Sequence, residues 1–129
     1  MNKTMHSRLL KAARAAARHS YSPFSKFNVG AAVLADDGCV YSGTNIENSS
    51  FGLTVCAERV AVFNAISAGA RTIKAVLVCA DTETLTPPCG ACLQVINEFG
   101  TNPEVILSNG RETRRYRLRD LLPQGFRLK

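Results

Sequence analysis

Residues 56–100, CAERVAVFNAISAGARTIKAVLVCADTETLTPPCGACLQVINEFG, contain the pattern that decides the predicted fold. Residues 56–68 have apolar side chains at helical spacing, and Gly69 suits the position just after a helix end. Residues 73–80 are almost all apolar and rich in β-branched side chains, which is typical of a central strand covered on both faces. Residues 90–99 predict a further helix. The succession of helix, buried strand and helix indicates a layered α/β domain.

The segments on either side of this stretch supply the other predicted strands. Two β-prone runs, 29–35 and 39–43, flank Asp36-Asp37-Gly38, and an Asp-Gly step between such runs predicts a hairpin. Residues 104–107 predict a fourth strand and residues 114–118 a fifth. At the other end of the chain, an alanine-rich run predicts a helix over Ser7–His19. We favour this helix over a transit peptide, which the acid-free, Arg-containing start resembles in composition.

Length and composition limit the class of protein. A chain of 129 residues fits one domain, which we expect to span residues 1–129. No apolar run approaches the roughly 18–20 residues of a membrane span, so no membrane partner is expected. The five cysteines are an odd number, and no apolar signal segment precedes them. We therefore expect a cytoplasmic protein whose thiols are free or bound to metal.

Two short motifs place cysteines at the starts of two predicted helices. Cys56-Ala57-Glu58 opens the first, and Pro88-Cys89-Gly90-Ala91-Cys92 opens the second, with 33 positions between their first cysteines. A helix N-terminus stabilises a thiolate, because its free N–H groups and macrodipole favour negative charge. Cys89 and Cys92 share one face of a helical turn. The three sulfurs predict a zinc site with an open fourth position, where zinc lowers the pKa of water toward neutrality.

Glu58 follows Cys56 within the same first turn, so its carboxylate can face a metal-bound water without being a ligand. There it can take a proton from water and pass it to a leaving group. Cys-x-Glu combined with Pro-Cys-x-x-Cys is the three-cysteine form of the zinc deaminase signature.

Two other interpretations of these cysteines remain. One is a structural zinc site with a fourth ligand, for which the candidates are Cys39, Cys79, His6 and His19. The other is a Cys-x-x-Cys redox motif, which leaves the third cysteine and Glu58 without a role. We favour catalytic zinc, because both cysteine candidates resemble small core residues and both histidines flank the first helix.

At these motifs the sequence resembles the cytidine deaminase family, in its short form with three zinc-binding cysteines. The likeness follows six segments in order: 21–27 (YSPFSKF), 29–32 (VGAA), 45–48 (NIEN), 56–59 (CAER), 88–92 (PCGAC) and 121–126 (LLPQGF). The resemblance implies a three-layer α/β/α fold, in which helices flank a mixed five-stranded sheet. It also implies one Zn²⁺ per chain, a pyrimidine nucleoside substrate and a homotetramer whose active sites are shared between subunits.

The resemblance further implies a role for each matching residue. Cys56, Cys89 and Cys92 are expected to be the zinc ligands, and Glu58 the proton shuttle that also contacts N3 and the amino group of the base. The expected substrate contacts are Phe27 beside the pyrimidine, Asn45 and Glu47 at the ribose 3′-hydroxyl, the backbone of Ala57 at the base carbonyl, and Phe126 from a neighbouring subunit. An amide that donates and accepts, beside a carboxylate that accepts, can satisfy a hydroxyl.

Two positions depart from the family pattern. Leu93 stands where family members often carry an arginine that donates hydrogen bonds to the zinc-bound thiolates. We therefore expect Arg59, beside Glu58, to take over this supporting role. Phe51 stands where an aromatic residue with a hydroxyl is frequent, so one hydrogen bond near the active site is expected to be missing.

The expected reaction is zinc-dependent hydrolytic deamination of cytidine and 2′-deoxycytidine to uridine and 2′-deoxyuridine with release of ammonia, in pyrimidine salvage. One alternative is a deaminase of a modified cytosine nucleoside such as blasticidin, which is expected to lack the Asn45-x-Glu47 ribose pair. A second alternative is a polynucleotide-editing deaminase or a nucleic-acid-binding protein. The net charge of +6 and the five arginines from Arg111 to Arg119 suggest it. We interpret this arginine cluster as a solvated strand and loop, so nucleic acid is not expected to bind.

Overall fold

The computed structural model describes residues 2–128, in which all five strands belong to one sheet. The elements are α1 (Lys3–Ala17), β1 (Val29–Ala35), β2 (Val40–Thr44), a 3₁₀ turn (Phe51–Leu53), α2 (Ala57–Ser67), β3 (Ile73–Ala80), α3 (Gly90–Glu98), β4 (Glu104–Ser108), β5 (Thr113–Arg117) and α4 (Leu118–Leu121). The single domain over 1–129 stays a prediction, and its end residues Met1 and Lys129 lie outside the described range.

The strands follow the order β2-β1-β3-β4-β5. β1 pairs antiparallel with both β2 and β3, β3 pairs parallel with β4, and β4 pairs antiparallel with β5. The predicted mixed five-stranded sheet is therefore confirmed. α1 packs on one face and α2 on the other, with α3 beside α2, which confirms the three-layer α/β/α architecture.

Strand β3 buries side chains on both faces, as the apolar pattern of residues 73–80 predicts. In β3, Val76 and Val78 join the cluster under α2, whereas Leu77 and Cys79 join the cluster under α1. Successive side chains of a strand point to opposite faces, so β3 separates two different environments. One of them contains the predicted metal ligands.

The chain ends differ most from the sequence-based expectations. α1 begins at Lys3 rather than Ser7, because the Asn2 Oδ1 atom accepts a hydrogen bond from the Met5 N–H at 2.8 Å and caps an earlier turn. The short helix α4 was not predicted; the Asp120 carboxylate accepts from the Arg117 N–H at 2.9 Å at its start. Among the helices of residues 2–128, none has the length and apolar character needed to cross a lipid bilayer.

Two glycines allow helices to lie directly on the sheet. A Cβ atom on Gly30 would lie 1.8 Å from the Ala13 carbonyl oxygen of α1. On the opposite face, a Cβ atom on Gly43 would lie 2.5 Å from the Ala61 backbone nitrogen of α2. Any side chain at these positions would push a helix away from the strands.

We expect the Gly30→Ala substitution to lower the free energy of unfolding by at least about 1–3 kcal/mol, the usual cost of overpacking a tight contact. Urea denaturation of the purified variant measures this loss. Gly52→Ala is the matched control, because nothing lies within 4 Å of an added Cβ there. Equal stability of the two variants would contradict the direct packing of α1 on β1.

Candidate active site

Two helix N-termini meet on the α2 side of the sheet and bring three sulfur atoms together. Cys56 is the N-cap residue of α2, and Cys89 is the N-cap residue of α3. The Cys56 and Cys89 Sγ atoms lie 3.9 Å apart, and those of Cys89 and Cys92 lie 3.4 Å apart. Helix α2, strand β3 and the loop after it connect the two motifs, and they bring Cys89 back beside Cys56.

The sulfur spacing fits a zinc ion. Ligands about 2.3 Å from a tetrahedral zinc ion are about 3.8 Å apart, close to the separations between these sulfurs. The three Sγ atoms all lie within 4.8 Å of one another, and no fourth His, Cys, Asp or Glu joins the group within residues 2–128. Cys79 belongs to the cluster under α1 on the other face of the sheet. The candidates for a fourth protein ligand are therefore not supported, and a three-sulfur set leaves one position open.

The charge on the sulfurs also favours a cation at this site. The neighbouring Cys92 thiol and the Arg59 guanidinium stabilise the Cys56 thiolate and lower the pKa of Cys56 to about 5. The pKa of Cys92 rises correspondingly, because Cys92 keeps the proton that it shares with Cys56. Three ionised thiolates at these distances need a positive charge between them, and a divalent ion supplies it by replacing the protons.

Arg59 supports the cluster from α2. Its Nη2 atom lies 3.6 Å from the Cys56 Sγ atom and 3.5 Å from the Thr54 carbonyl oxygen. Its Nε atom is buried without a hydrogen-bond partner among the described residues. Leu93 is buried in the core under α2, so this position of α3 contributes packing here. Arg59 therefore provides a guanidinium beside the sulfurs, where Leu93 offers no donor.

Glu58 lies in the first turn of α2 and lines the same pocket as Cys56 and Cys89. Its side chain is 5% exposed, and this burial raises the pKa of its carboxyl above the ordinary value. A buried carboxyl beside a metal-binding cluster is suited to hold and release a proton within the pocket.

The pocket has a volume of about 310 Å³, enough for a small organic molecule. Its wall contains, among others, Phe27, Asn45, Glu47, Cys56, Ala57, Glu58 and Cys89. Cys92 is fully buried behind this wall. Phe126 lies elsewhere: its side chain is 67% exposed, and its carbonyl oxygen accepts a hydrogen bond from the Gln94 Nε2 atom of α3 at 2.9 Å. Its predicted reach into a neighbouring subunit stays a prediction.

Internal hydrogen bonds leave Asn45 with one free donor. Its Oδ1 atom accepts from the Ser20 hydroxyl at 2.6 Å and from the Val29 N–H at 3.0 Å. Its Nδ2 atom donates one hydrogen to the Phe27 carbonyl oxygen at 2.7 Å. Because an amide nitrogen carries two hydrogens, one remains available to a ligand.

Glu47 is fixed as an acceptor. Its Oε1 atom accepts from the Phe24 N–H at 2.9 Å and the Ser25 N–H at 3.2 Å, and its Oε2 atom accepts from the Ser25 hydroxyl. The Ser25 hydroxyl is the main reason that the pKa of Glu47 is lowered, so the carboxylate keeps its charge. Since each carboxylate oxygen has two lone pairs, Oε2 can accept one further hydrogen bond.

Comparison with known proteins agrees with this geometry. The family profile described as the cytidine and deoxycytidylate deaminase zinc-binding region matches residues 3–108. The chain belongs to the cytidine deaminase family. It is 46% identical over 121 residues to a cytidine deaminase of Sporosarcina psychrophila, covering 92% of this chain and 89% of the relative. The crystal structure of cytidine deaminase from Burkholderia pseudomallei superposes with a TM-score of 0.89 at 45% identity, covering 94% of this chain and 98% of that one.

A second solved structure gives the same result. The cytidine deaminase from Mycobacterium tuberculosis has a TM-score of 0.81 and 40% identity, with coverage of 95% of this chain and 98% of that chain. The expected membership of the cytidine deaminase family and the expected fold are therefore confirmed. Membership of this zinc-binding family agrees with the cluster of Cys56, Cys89 and Cys92.

Sequence reasoning missed several residues that line the pocket of this cytidine deaminase family member. They are Ser25, Val29, Thr54, Val55, Val78, Thr86 and Pro87. Ser25 is the most informative, because its hydroxyl donates to Glu47 and accepts from the Phe27 N–H at 3.0 Å. Its position within the YSPFSKF segment, two residues before Phe27, was the available signal.

We expect Ser25→Ala to raise the pKa of Glu47 toward its ordinary value, because the strongest hydrogen bond to the carboxylate is removed. The Glu47 carboxylate of the variant should therefore take up a proton at a higher pH than that of the parent protein. A ¹³C NMR titration of the side-chain carboxyl measures the difference. Ser49→Ala, an exposed change in the same loop region, is the control. Superimposable titration curves for Ser25→Ala and the parent protein would contradict this role.

Proposed function

We propose that this protein deaminates cytidine and 2′-deoxycytidine to uridine and 2′-deoxyuridine, with release of ammonia and one zinc ion per chain. The observation that carries the proposal is the meeting of three sulfurs and the buried Glu58 carboxyl at one small pocket. The names of the relatives support cytidine as the substrate. The reaction belongs to pyrimidine salvage, in which the base of a free nucleoside is converted.

The protein groups divide the chemistry between them. Cys56, Cys89 and Cys92 would hold the zinc ion, which when bound supplies an activated water. Glu58 would take the two protons of the added water in turn and deliver one to N3 and the other to the departing amino group. Water is added at C4 of the base and ammonia leaves, so the proton count balances without another reactant.

The ribose and the base are recognised by groups with unused hydrogen-bonding capacity. The free Nδ2 hydrogen of Asn45 donates to the 3′-hydroxyl, and the free lone pair on Glu47 Oε2 accepts its hydrogen. Phe27 packs its ring against the pyrimidine, and the backbone N–H of Ala57 at the start of α2 contacts the base carbonyl. None of these contacts uses the 2′-hydroxyl, which supports activity on both nucleosides.

The assembly that we propose is a homotetramer with shared active sites. Phe126 is exposed, and Phe24 and Phe51 form an exposed edge-to-face pair whose ring centroids are 5.6 Å apart. Exposed aromatic side chains of this kind are typical of surfaces that other chains cover. We place the tetramer in the cytoplasm, because none of the five cysteines within residues 2–128 forms a disulfide, as expected in a reducing compartment.

The direct experiment measures the loss of ultraviolet absorbance when zinc-loaded protein meets cytidine, 2′-deoxycytidine or free cytosine. We expect turnover of both nucleosides and not of cytosine, because cytosine lacks the hydroxyl that Asn45 and Glu47 bind. Turnover of a modified cytosine nucleoside such as blasticidin, with none of cytidine, would replace the proposed substrate class.

Glu58→Gln keeps the shape of the side chain and should lower kcat by roughly 10²–10⁴-fold with zinc retained. Near-parental activity of Glu58→Gln would contradict the proton role.

We expect Arg59→Ala to lower zinc affinity by about 10–100-fold, because the cluster loses the guanidinium beside Cys56. Zinc release to a chelator, followed with a metal-sensitive dye, measures the change without reference to activity. Arg114→Ala, on the exposed strand β5, removes the same charge far from the sulfurs and serves as the control. Equal zinc release from the two variants would contradict the role of Arg59.

A further inference from the structure

A second cavity of about 450 Å³ lies on the α1 side of the sheet. Arg14 in the last turn of α1 and Arg18, its C-cap residue, line it, together with Arg111, Asn28 and Cys79. Cys79 belongs to the cluster under α1, whereas its neighbour Val78 lines the candidate active site. This arginine cleft is therefore separated from the nucleoside pocket by the sheet and shares no lining residue with it.

The loops that follow β3 and β4 form one wall of the arginine cleft, and hydrogen bonds of Asn109 hold them together. Asn109 is buried, and its Oδ1 atom accepts from the backbone N–H groups of Arg111 at 2.9 Å and Glu112 at 2.7 Å. Its Nδ2 atom donates to the carbonyl oxygens of Thr82 at 3.0 Å and Glu83 at 3.3 Å. The loops that follow two parallel strands are thus tied together. The carboxyl ends of such strands are the usual place for ligands in open α/β sheets.

Gly110 leaves room for an arginine in the cleft. A Cβ atom on Gly110 would lie 2.3 Å from the Arg14 Nη2 atom, so the guanidinium occupies the space that a side chain would fill. Gly110 also has a φ angle of +88°, which favours glycine. The turn at Gly110 therefore leaves space for the Arg14 guanidinium in the cleft.

The cleft carries more positive than negative charge. Within residues 2–128, neither Arg14 nor Arg18 forms an ion pair, and Arg111 pairs only with the exposed Asp81, at 3.6 Å. The carbonyl end of α1 adds a partial negative charge, which two guanidinium groups exceed. Asn28 adds a neutral donor: its Oδ1 atom accepts from the Ser22 hydroxyl at 2.6 Å, which leaves its Nδ2 group free among the described residues.

We propose that the arginine cleft binds a phosphate group, either as inorganic phosphate or as a phosphate ester. Guanidinium groups bind phosphate oxygens through paired, charge-assisted hydrogen bonds, and Arg14 and Arg18 lie four positions apart at the end of α1, a spacing that places them on one side of the helix. The cavity is larger than a single phosphate ion, so it also has room for an organic ester. This site stands apart from the deamination proposal, because it shares no lining residue with the candidate active site.

Isothermal titration calorimetry tests the site with two probes, inorganic phosphate and ribose 5-phosphate, in chloride buffer at constant ionic strength. We expect saturable binding of at least one probe, and the one that binds more tightly identifies the source of the phosphate. Arg14→Gln/Arg18→Gln should weaken this binding by on the order of tenfold or more. Arg8→Gln/Arg114→Gln removes the same charge from exposed positions outside the cleft and should bind like the parent.

Two results would overturn the proposal. If neither inorganic phosphate nor ribose 5-phosphate binds saturably, the cleft is not a phosphate site. Equal weakening by the two double variants shows that general surface charge, rather than the cleft, attracts the anion. If Arg14→Gln/Arg18→Gln fails to fold, as judged by circular dichroism, Arg18→Gln alone replaces it against Arg8→Gln. Binding by Arg18→Gln that equals binding by Arg8→Gln then contradicts the proposal.

Discussion

The site depends on one electrostatic constraint: three cysteine sulfurs lie side by side at the N-termini of two helices. The Sγ atom of Cys89 lies 3.4 Å from that of Cys92 and 3.9 Å from that of Cys56. Helix N-termini and Arg59 reduce the repulsion between thiolates, and a divalent ion removes it. The parallel step from β3 to β4 carries the chain past this point, so α2 and α3 lie on one face with their N-termini together.

The polar side chains Asn45 and Glu47 in the pocket beside the sulfurs use nearly all of their hydrogen-bonding capacity within the protein, and this limits which ligand groups they can bind. The Asn45 side chain forms hydrogen bonds with Ser20, Val29, Thr44 and Phe27, and Glu47 accepts three from Phe24 and Ser25. What remains is one donor and one acceptor, a combination that matches a hydroxyl group. The same hydrogen bonds hold both side chains in place before a ligand arrives, which lowers the entropic cost of binding.

Much of this arrangement was predictable from the sequence, because local patterns report it directly. The apolar run over residues 73–80 predicted β3 with the observed bounds, and the cysteine motifs predicted that Cys56, Cys89 and Cys92 lie together. What escaped prediction depends on contacts between distant segments. Ser25 acts through Glu47, 22 positions away, and the arginine cleft joins α1 to a turn after β4. Helix α4 escaped because its cap pairs Asp120 with the backbone of Arg117, and no apolar period marks it.

Zinc K-edge X-ray absorption of the purified protein tests the central claim most directly. Three thiolates and an open position predict about three sulfur neighbours at about 2.3 Å and one lighter neighbour at about 2.0 Å. Elemental analysis of the same sample should give one zinc ion per chain. A zinc ion with four sulfur neighbours, or a folded protein that takes up no zinc, would contradict the account.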